Sequence, residues 1–266
     1  MSTNYSSISI PYPQADPLQR YGSGHDLDVF GVAVSRASIT KQMAFVRKTF
    51  LITTGQLIAI SSLSAILVRV DPIFQWLQRS KYAWWVPLVP TFFIAVLIAW
   101  HLWMSYFQLS HVSRSSLLGL FSLFMTVIIS DMISKLFYNE GILVIIMALF
   151  GLAGVLLYTL QTQFAFSGAK PLLVSAVTIS MSSPWLRRVF LLDPISILWP
   201  MLLAYIVCCY FILELYYIMG TVTVDDYILA NISFYIDLLY PMRCLHNICE
   251  LTDNVDVFPD ILHPGP

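Results

Sequence analysis

Apolar residues gather along this chain into seven long stretches parted by short polar connections. Each can be judged against the ~20 residues a helix needs to cross ~30 Å of hydrocarbon. The stretches run Thr49 to Val68, Ala83 to Phe107, Ser116 to Ser134, Ile142 to Leu160, Pro171 to Leu186, Ile195 to Ile218 and Tyr227 to Ile248. They predict an all-α, polytopic membrane protein: one seven-transmembrane-helix bundle over residues 41–250. Residues 1–40 carry Pro11, Pro13, Pro17, Gly22 and Gly24 without an apolar run or a helical period. They read as a mobile polar tail, and residues 251–266 as a short polar C-terminal one. The start lacks the charged-then-apolar pattern of a cleavable signal, so the first helix is expected to serve as an uncleaved insertion signal.

Polar and special residues shape individual stretches. Arg47 and Lys48 precede the first and Arg69 follows it. The second opens with Trp84 and Trp85 and closes with Trp100 and Trp103, an aromatic anchor at each interface, with Pro87 and Pro90 bending its first turns. Gly151 and Gly154 give the fourth a face that a neighbouring helix can approach closely. The fifth is shorter, rich in Ser and Thr, and closed by Pro184, Arg187 and Arg188; Pro200 lies near the start of the sixth. The seventh holds Asp237, Pro241, Arg243 and His246, so it should be central in the bundle or bend back as a re-entrant segment.

Composition agrees with a membrane chain and excludes several alternatives. The sequence is 58% hydrophobic and 11% charged, far from the roughly 25% charged residues of a soluble domain. A net charge of -1 with scattered basic residues gives nothing that would hold nucleic acid. No phosphate-binding glycine loop, metal-finger spacing or nucleophile elbow is present. An enzyme is not expected, and no cofactor is implied. Cys208, Cys209, Cys244 and Cys249 all fall in the last two stretches, where small apolar side chains suit helix packing. Loop charges do not set orientation, since Lys41, Arg47, Lys48, Arg114 and Lys170 face Arg69, Arg79, Lys81, Lys135, Arg187 and Arg188 across the bilayer.

The residues that could carry chemistry are acids at membrane depth. Glu214 lies near the end of the sixth stretch and Asp237 near the middle of the seventh, joined by a short loop with Gly220, Asp225 and Asp226. An ionisable group there costs at least ~2.5–3.5 kcal/mol on insertion scales and normally faces the bundle interior or a water-filled path. If the two meet, like charges in low dielectric can hold a shared proton near neutral pH. Their oxygens are also hard ligands suited to Ca²⁺. Alternatively each makes its own interhelical hydrogen bond. Asp131 and Lys135, spaced i to i+4, suit a local ion pair at the interface, Asp131 being an auxiliary acid for the site. His101, His111 and His246 have no ligand spacing. Arg243 is a candidate counter-ion for the acids, or it snorkels to the interface.

Several segments together resemble the transmembrane Bax-inhibitor-motif family, in its lifeguard or Golgi anti-apoptotic branch. They are Met43-Ala44-Phe45-Val46-Arg47-Lys48, Gln56-Leu57, Gln161-Thr162-Gln163 through Phe166-Ser167, Ile218-Met219-Gly220, and Asp226-Tyr227-Ile228-Leu229-Ala230 through Phe234-Tyr235-Ile236-Asp237. The resemblance covers roughly residues 40–250 in order, and the run ending in Asp237 is its most specific piece. It implies a pH-sensitive calcium (cation) leak channel of Golgi or endoplasmic reticulum membranes, N-terminus cytosolic, that suppresses apoptosis. Membrane lipids, Ca²⁺, H⁺, cell-death regulatory proteins and further copies of the chain are the partners so implied. Asp237 matches the family's seventh-helix aspartate; Glu214 takes the place of the sixth-helix aspartate among altered neighbours. Gln108, Leu109 and Ser110 stand where the family has basic residues, with Arg114 a turn onward as a substitute counter-ion. Tyr240-Pro241 replaces the family's Asn-Leu. Such departures fit a divergent member, a viral copy being one example. The rival expectation is a pore-less membrane interaction protein acting on cell death or trafficking; a seven-helix receptor is disfavoured by the short loops.

Overall fold

A computed structural model describes residues 33–69, 88–136 and 138–239. Among them the chain forms α1 (Ile39–Arg69), α2 (Leu88–Met104), α3 (His111–Leu136), α4 (Tyr138–Tyr158), α5 (Lys170–Phe190), α6 (Leu198–Met219) and α7 (Tyr227–Leu239), with 3₁₀ turns at Val34–Arg36 and Tyr106–Gln108. No strand occurs among the described residues. Four helices are long and apolar enough to cross a membrane: Ile39–Leu67, His111–Ile133, Glu140–Tyr158 and Leu198–Met219; α2 is apolar but shorter. The fold is therefore all-helical and compatible with a multi-pass membrane protein.

Each apolar stretch of the sequence contains one α-helix among the described residues, and of the boundaries that move two have a clear physical reason. α1 starts at Ile39, a good ten residues before the apolar run, because its first turns are amphipathic. Met43, Phe45, Val46 and Phe50 are buried while Lys41 and Lys48 stay exposed. The bundle reaches further still into the expected tail, since Val34 is fully buried and its N–H donates to the Val222 carbonyl at 3.1 Å. α5 continues through Pro184 to Phe190. Ile179, Ser182 and Leu186 form its buried stripe on both sides of the proline, and packing outweighs the lost backbone bond. It stops at Leu191, which adopts the left-handed conformation (φ 53°) while the Leu192 N–H closes onto the Arg187 carbonyl. Trp84, Trp85, Pro87, Pro241, Arg243, His246, Cys244 and Cys249 lie outside the described residues, as does the C-terminal tail.

Two features place the core. α4 lies against α1, α5 and α6, and glycines set how closely. A Cβ at Gly151 would stand 2.7 Å from Cys208 Sγ on α6, and one at Gly154 only 2.4 Å from Thr178 Cγ2 on α5. The close approach expected of this face is thus real. α7 packs against α1, α2, α3 and α6. Every residue from Ile228 to Asp237 is buried, so the helix is covered on all sides and occupies the centre. Aromatic rings close one end around it: Phe50 meets Phe166 (6.1 Å) and Phe234 (6.5 Å), and Phe166 meets Tyr216 edge-on at 5.3 Å.

Candidate functional site

A helix buried on all faces can carry polar residues only if its neighbours satisfy them. Asn231 meets this demand through α1: its Nδ2 donates to Thr53 Oγ1 at 3.0 Å and to Gln56 Oε1 at 3.2 Å, and its Oδ1 accepts from Gln56 Nε2 at 2.9 Å. Gln56 Nε2 also donates to Ser122 Oγ of α3 at 2.7 Å, and Tyr235 donates its hydroxyl to Gln56 Oε1 at 2.8 Å. One glutamine therefore joins α1, α3 and α7. The network continues a buried stripe of α1: Thr49, Thr53, Gln56, Ile60 and Ser64 recur every three or four residues. At Ile60 the backbone carbonyl accepts from both Ser64 and, across the interface, Ser130 of α3 at 3.0 Å. The result is a polar column through the middle of an apolar bundle.

Four carboxylates are buried among the described residues: Asp226 (4% exposed) accepts from Thr223 just before α7, and three lie within helices. Asp237 is 1% exposed, Glu214 3% and Asp131 5%. Asp131 is thus inside the bundle and not at an open interface; the Lys135 side chain expected to pair with it lies outside the described residues. For Glu214 and Asp237 the register of α6 on α7 is informative. The Tyr210 hydroxyl donates to the Phe234 carbonyl, and the Phe211 and Phe234 rings meet at 5.3 Å. These helices are antiparallel across the loop from Gly220 to Asp226. With Tyr210 level with Phe234, the two acids stand about two turns apart along the axis at ~1.5 Å per residue. Helical side chains lean toward their own N-terminus. In an antiparallel pair Glu214 and Asp237 therefore lean toward each other's level.

The basic side chains among the described residues sit elsewhere. At the end of the bundle where α1 and α7 begin, Arg47 Nη2 donates to the Thr159 carbonyl at 2.8 Å, Lys48 lies over the Tyr227 ring and Lys170 over that of Phe164. Arg114 stacks on Tyr106 at 4.2 Å and donates to the Leu109 carbonyl. His111 hydrogen-bonds Tyr227 at 3.1 Å, so the first turns of α3 and α7 are level. Tyr227 to Asp237 then rises ~15 Å at ~1.5 Å per residue. Arg114 is consequently not brought to Asp237, and its role as a counter-ion there is not supported by its placement. Arg243, the other candidate, lies outside the described residues.

Reading the sequence for charge found the three acids but not the amide network. Asn231 was the available signal, an amide inside an apolar run that must find a partner. Gln161, within a segment used for the family resemblance, proves to be a loop builder: its Oε1 accepts from the backbone N–H groups of Gln163 and Phe164. Cys208 is a buried thiol donating to the Ala148 carbonyl at 3.5 Å, and Cys209 is half-buried. No group of three or more His, Cys, Asp or Glu side chains converges among the described residues. A cation held by Glu214 and Asp237 would thus need amide, hydroxyl or carbonyl oxygens to complete its shell. Comparison of the chain with protein-family models, curated proteins and solved structures gives no match.

Proposed function

We propose that this chain is a seven-span, proton-sensitive cation leak of intracellular membranes, with Ca²⁺ as the transported ion. The reading rests on one observation: Asp131, Glu214 and Asp237 are all buried in an otherwise apolar bundle, whose α1, α3 and α7 also share a polar column. Carboxylates kept at such a cost mark ion or proton routes, and a column of amides and hydroxyls offers the oxygens that replace a cation's water. The Bax-inhibitor-motif resemblance of the Asp237 run supports the same function, with Golgi or endoplasmic reticulum as the site and suppression of cell death as the outcome. Glu214 and Asp237, leaning toward one another, share a proton in the closed form. Raising pH removes it; at the two-turn separation of their backbone positions two carboxylates repel by ~1.5 kcal/mol at an effective dielectric near 20, and the lean of their side chains toward one another raises this. That repulsion parts α6 from α7 and opens the path, so flux rises with pH.

Calcium flux into liposomes holding the purified chain tests this. Asp237→Asn and Glu214→Gln should each flatten the pH response, and the double variant should add nothing further, because the two act as one unit. If both single variants kept the wild-type pH profile, or if their midpoint shifts added, the coupled pair would be abandoned. Absence of any flux from folded protein would favour the pore-less interaction protein.

A further inference from the structure

On the outer face of the bundle, α4 and α5 leave an open groove of ≈ 460 Å³, within the ~300–1,000 Å³ of small-molecule sites. Phe150, Gly154 and Leu157 line one wall and Thr178, Met181 and Trp185 the other. The wall is apolar even where its residues are not. Thr178 turns its hydroxyl back to the Val174 and Ser175 carbonyls, and Ser182 to that of Ile179. One end is marked by Trp185, edge-on to Phe150 at 6.0 Å. Arg188 follows one turn later on the same stripe of α5, since Met181, Trp185 and Arg188 are spaced i, i+4, i+7. Trp185 and Trp199 are both exposed, near the α5–α6 connection, which puts this end at a bilayer interface. Arg187 beside it folds back to the Leu192 carbonyl, whereas Arg188 is exposed on the groove's stripe. From Arg188 to Thr178 the helix rises ~15 Å, half of a ~30 Å hydrocarbon core.

From this geometry we infer that the groove is a binding site for one anionic phospholipid: an acyl chain lies along Phe150 and Met181, and the headgroup phosphate meets Arg188. The groove itself is apolar and runs ~10 Å from Thr178 to Trp185, with the exposed Arg188 one turn beyond its Trp185 end. Groove and cation together span ~15 Å, about one leaflet, so length, polarity and charge select the same ligand. The site is independent of the acid pair, and its occupancy is read without any flux measurement.

Native mass spectrometry of the full chain in detergent, titrated with dioleoyl phosphatidylglycerol or dioleoyl phosphatidylcholine, tests it. One phosphatidylglycerol should be retained in preference to phosphatidylcholine. Arg188→Ala should weaken its retention roughly fivefold, the size of one basic residue's attraction to an anionic surface. Ala153→Trp, which places an indole in the groove from an exposed position, should abolish it. Four results would overturn the assignment: equal retention of the two lipids, no effect of Arg188→Ala, oleic acid held as well as phosphatidylglycerol, or a dimer that Ala153→Trp dissociates. Arg188 is exposed, so its variant stays informative even if Ala153→Trp fails to fold.

Discussion

Replacing Asn231 with leucine, close to it in size, isolates what the central amide network contributes. The change removes three hydrogen bonds, two exchanged with Gln56 and one given to Thr53. Interhelical hydrogen bonds in membranes average ~0.6 kcal/mol, because the unfolded chain in lipid also finds partners. The expected loss is therefore ~2 kcal/mol. It should not be larger, since Gln56 keeps Ser122 on its nitrogen and Tyr235 on its oxygen. Gln56→Leu should cost more, ~3 kcal/mol, for it breaks the links to Ser122, Asn231 and Tyr235 together and leaves two buried partners wanting. In the double variant the reciprocal pair is counted once, so the coupling between the sites should be ~1 kcal/mol. Reversible unfolding by sodium dodecyl sulfate in mixed micelles, followed by tryptophan fluorescence, measures all three variants on one scale. A coupling indistinguishable from zero, or a stabilised Asn231→Leu, would refute the view that this pair holds α7 to α1.

Other outcomes follow from the same structure. Gly154→Ala should lower stability by ~1–3 kcal/mol, the usual cost of overpacking, because the new methyl stands 2.4 Å from Thr178; Thr178→Ala should recover much of that loss in thermal melts. Gly119→Ala meets nothing within 4 Å and should leave stability unchanged or raise it by up to ~1 kcal/mol from helix propensity, read as an unchanged or higher melting temperature. Gln108 is exposed in the turn after α2, where the resembling family carries basic residues, and Gln108→Arg should deepen closure and reduce basal leak in liposomes. An unchanged leak from well-folded Gln108→Arg protein would remove the idea that a basic latch is missing.

Hydropathy located the helices well because a residue's preference for lipid is a local property, readable one segment at a time. It failed at the N-terminal turns of α1, where Lys41, Arg47 and Lys48 lower the average although Met43, Phe45 and Val46 already face the core. At α5 the proline and two arginines suggested a stop, yet what holds that turn is the burial of Ser182 and Leu186 against other helices, a tertiary fact. The acids were legible as isolated charges; the burial of Asp131, next to a plausible i+4 partner, was not. Least legible was the Gln56–Asn231 pair. Two amides far apart in sequence carry no shared period or spacing, and only the packing of α7 onto α1 makes them partners.

That pairing has a consequence for how the molecule is made. Gln56 is synthesised early and Asn231 is 175 residues later, so a half-finished chain holds α1 with its hydroxyls served by its own carbonyls but its central amide lacking the partners on α7. Lipid cannot serve that amide, and before α7 only Ser122 of α3 does. α1 can join α3 through Ser122 and Ser130 before α7 is made, but a ribosome that stops before α7 leaves behind an intermediate whose Gln56 lacks Asn231 and Tyr235, an open polar seam at membrane depth. Quality-control machinery that recognises polar residues within the bilayer would distinguish the completed protein from its truncations by this seam alone. A tag or fusion that slows the departure of α7 from the translocon should lengthen the life of that intermediate, whether or not the finished bundle tolerates it.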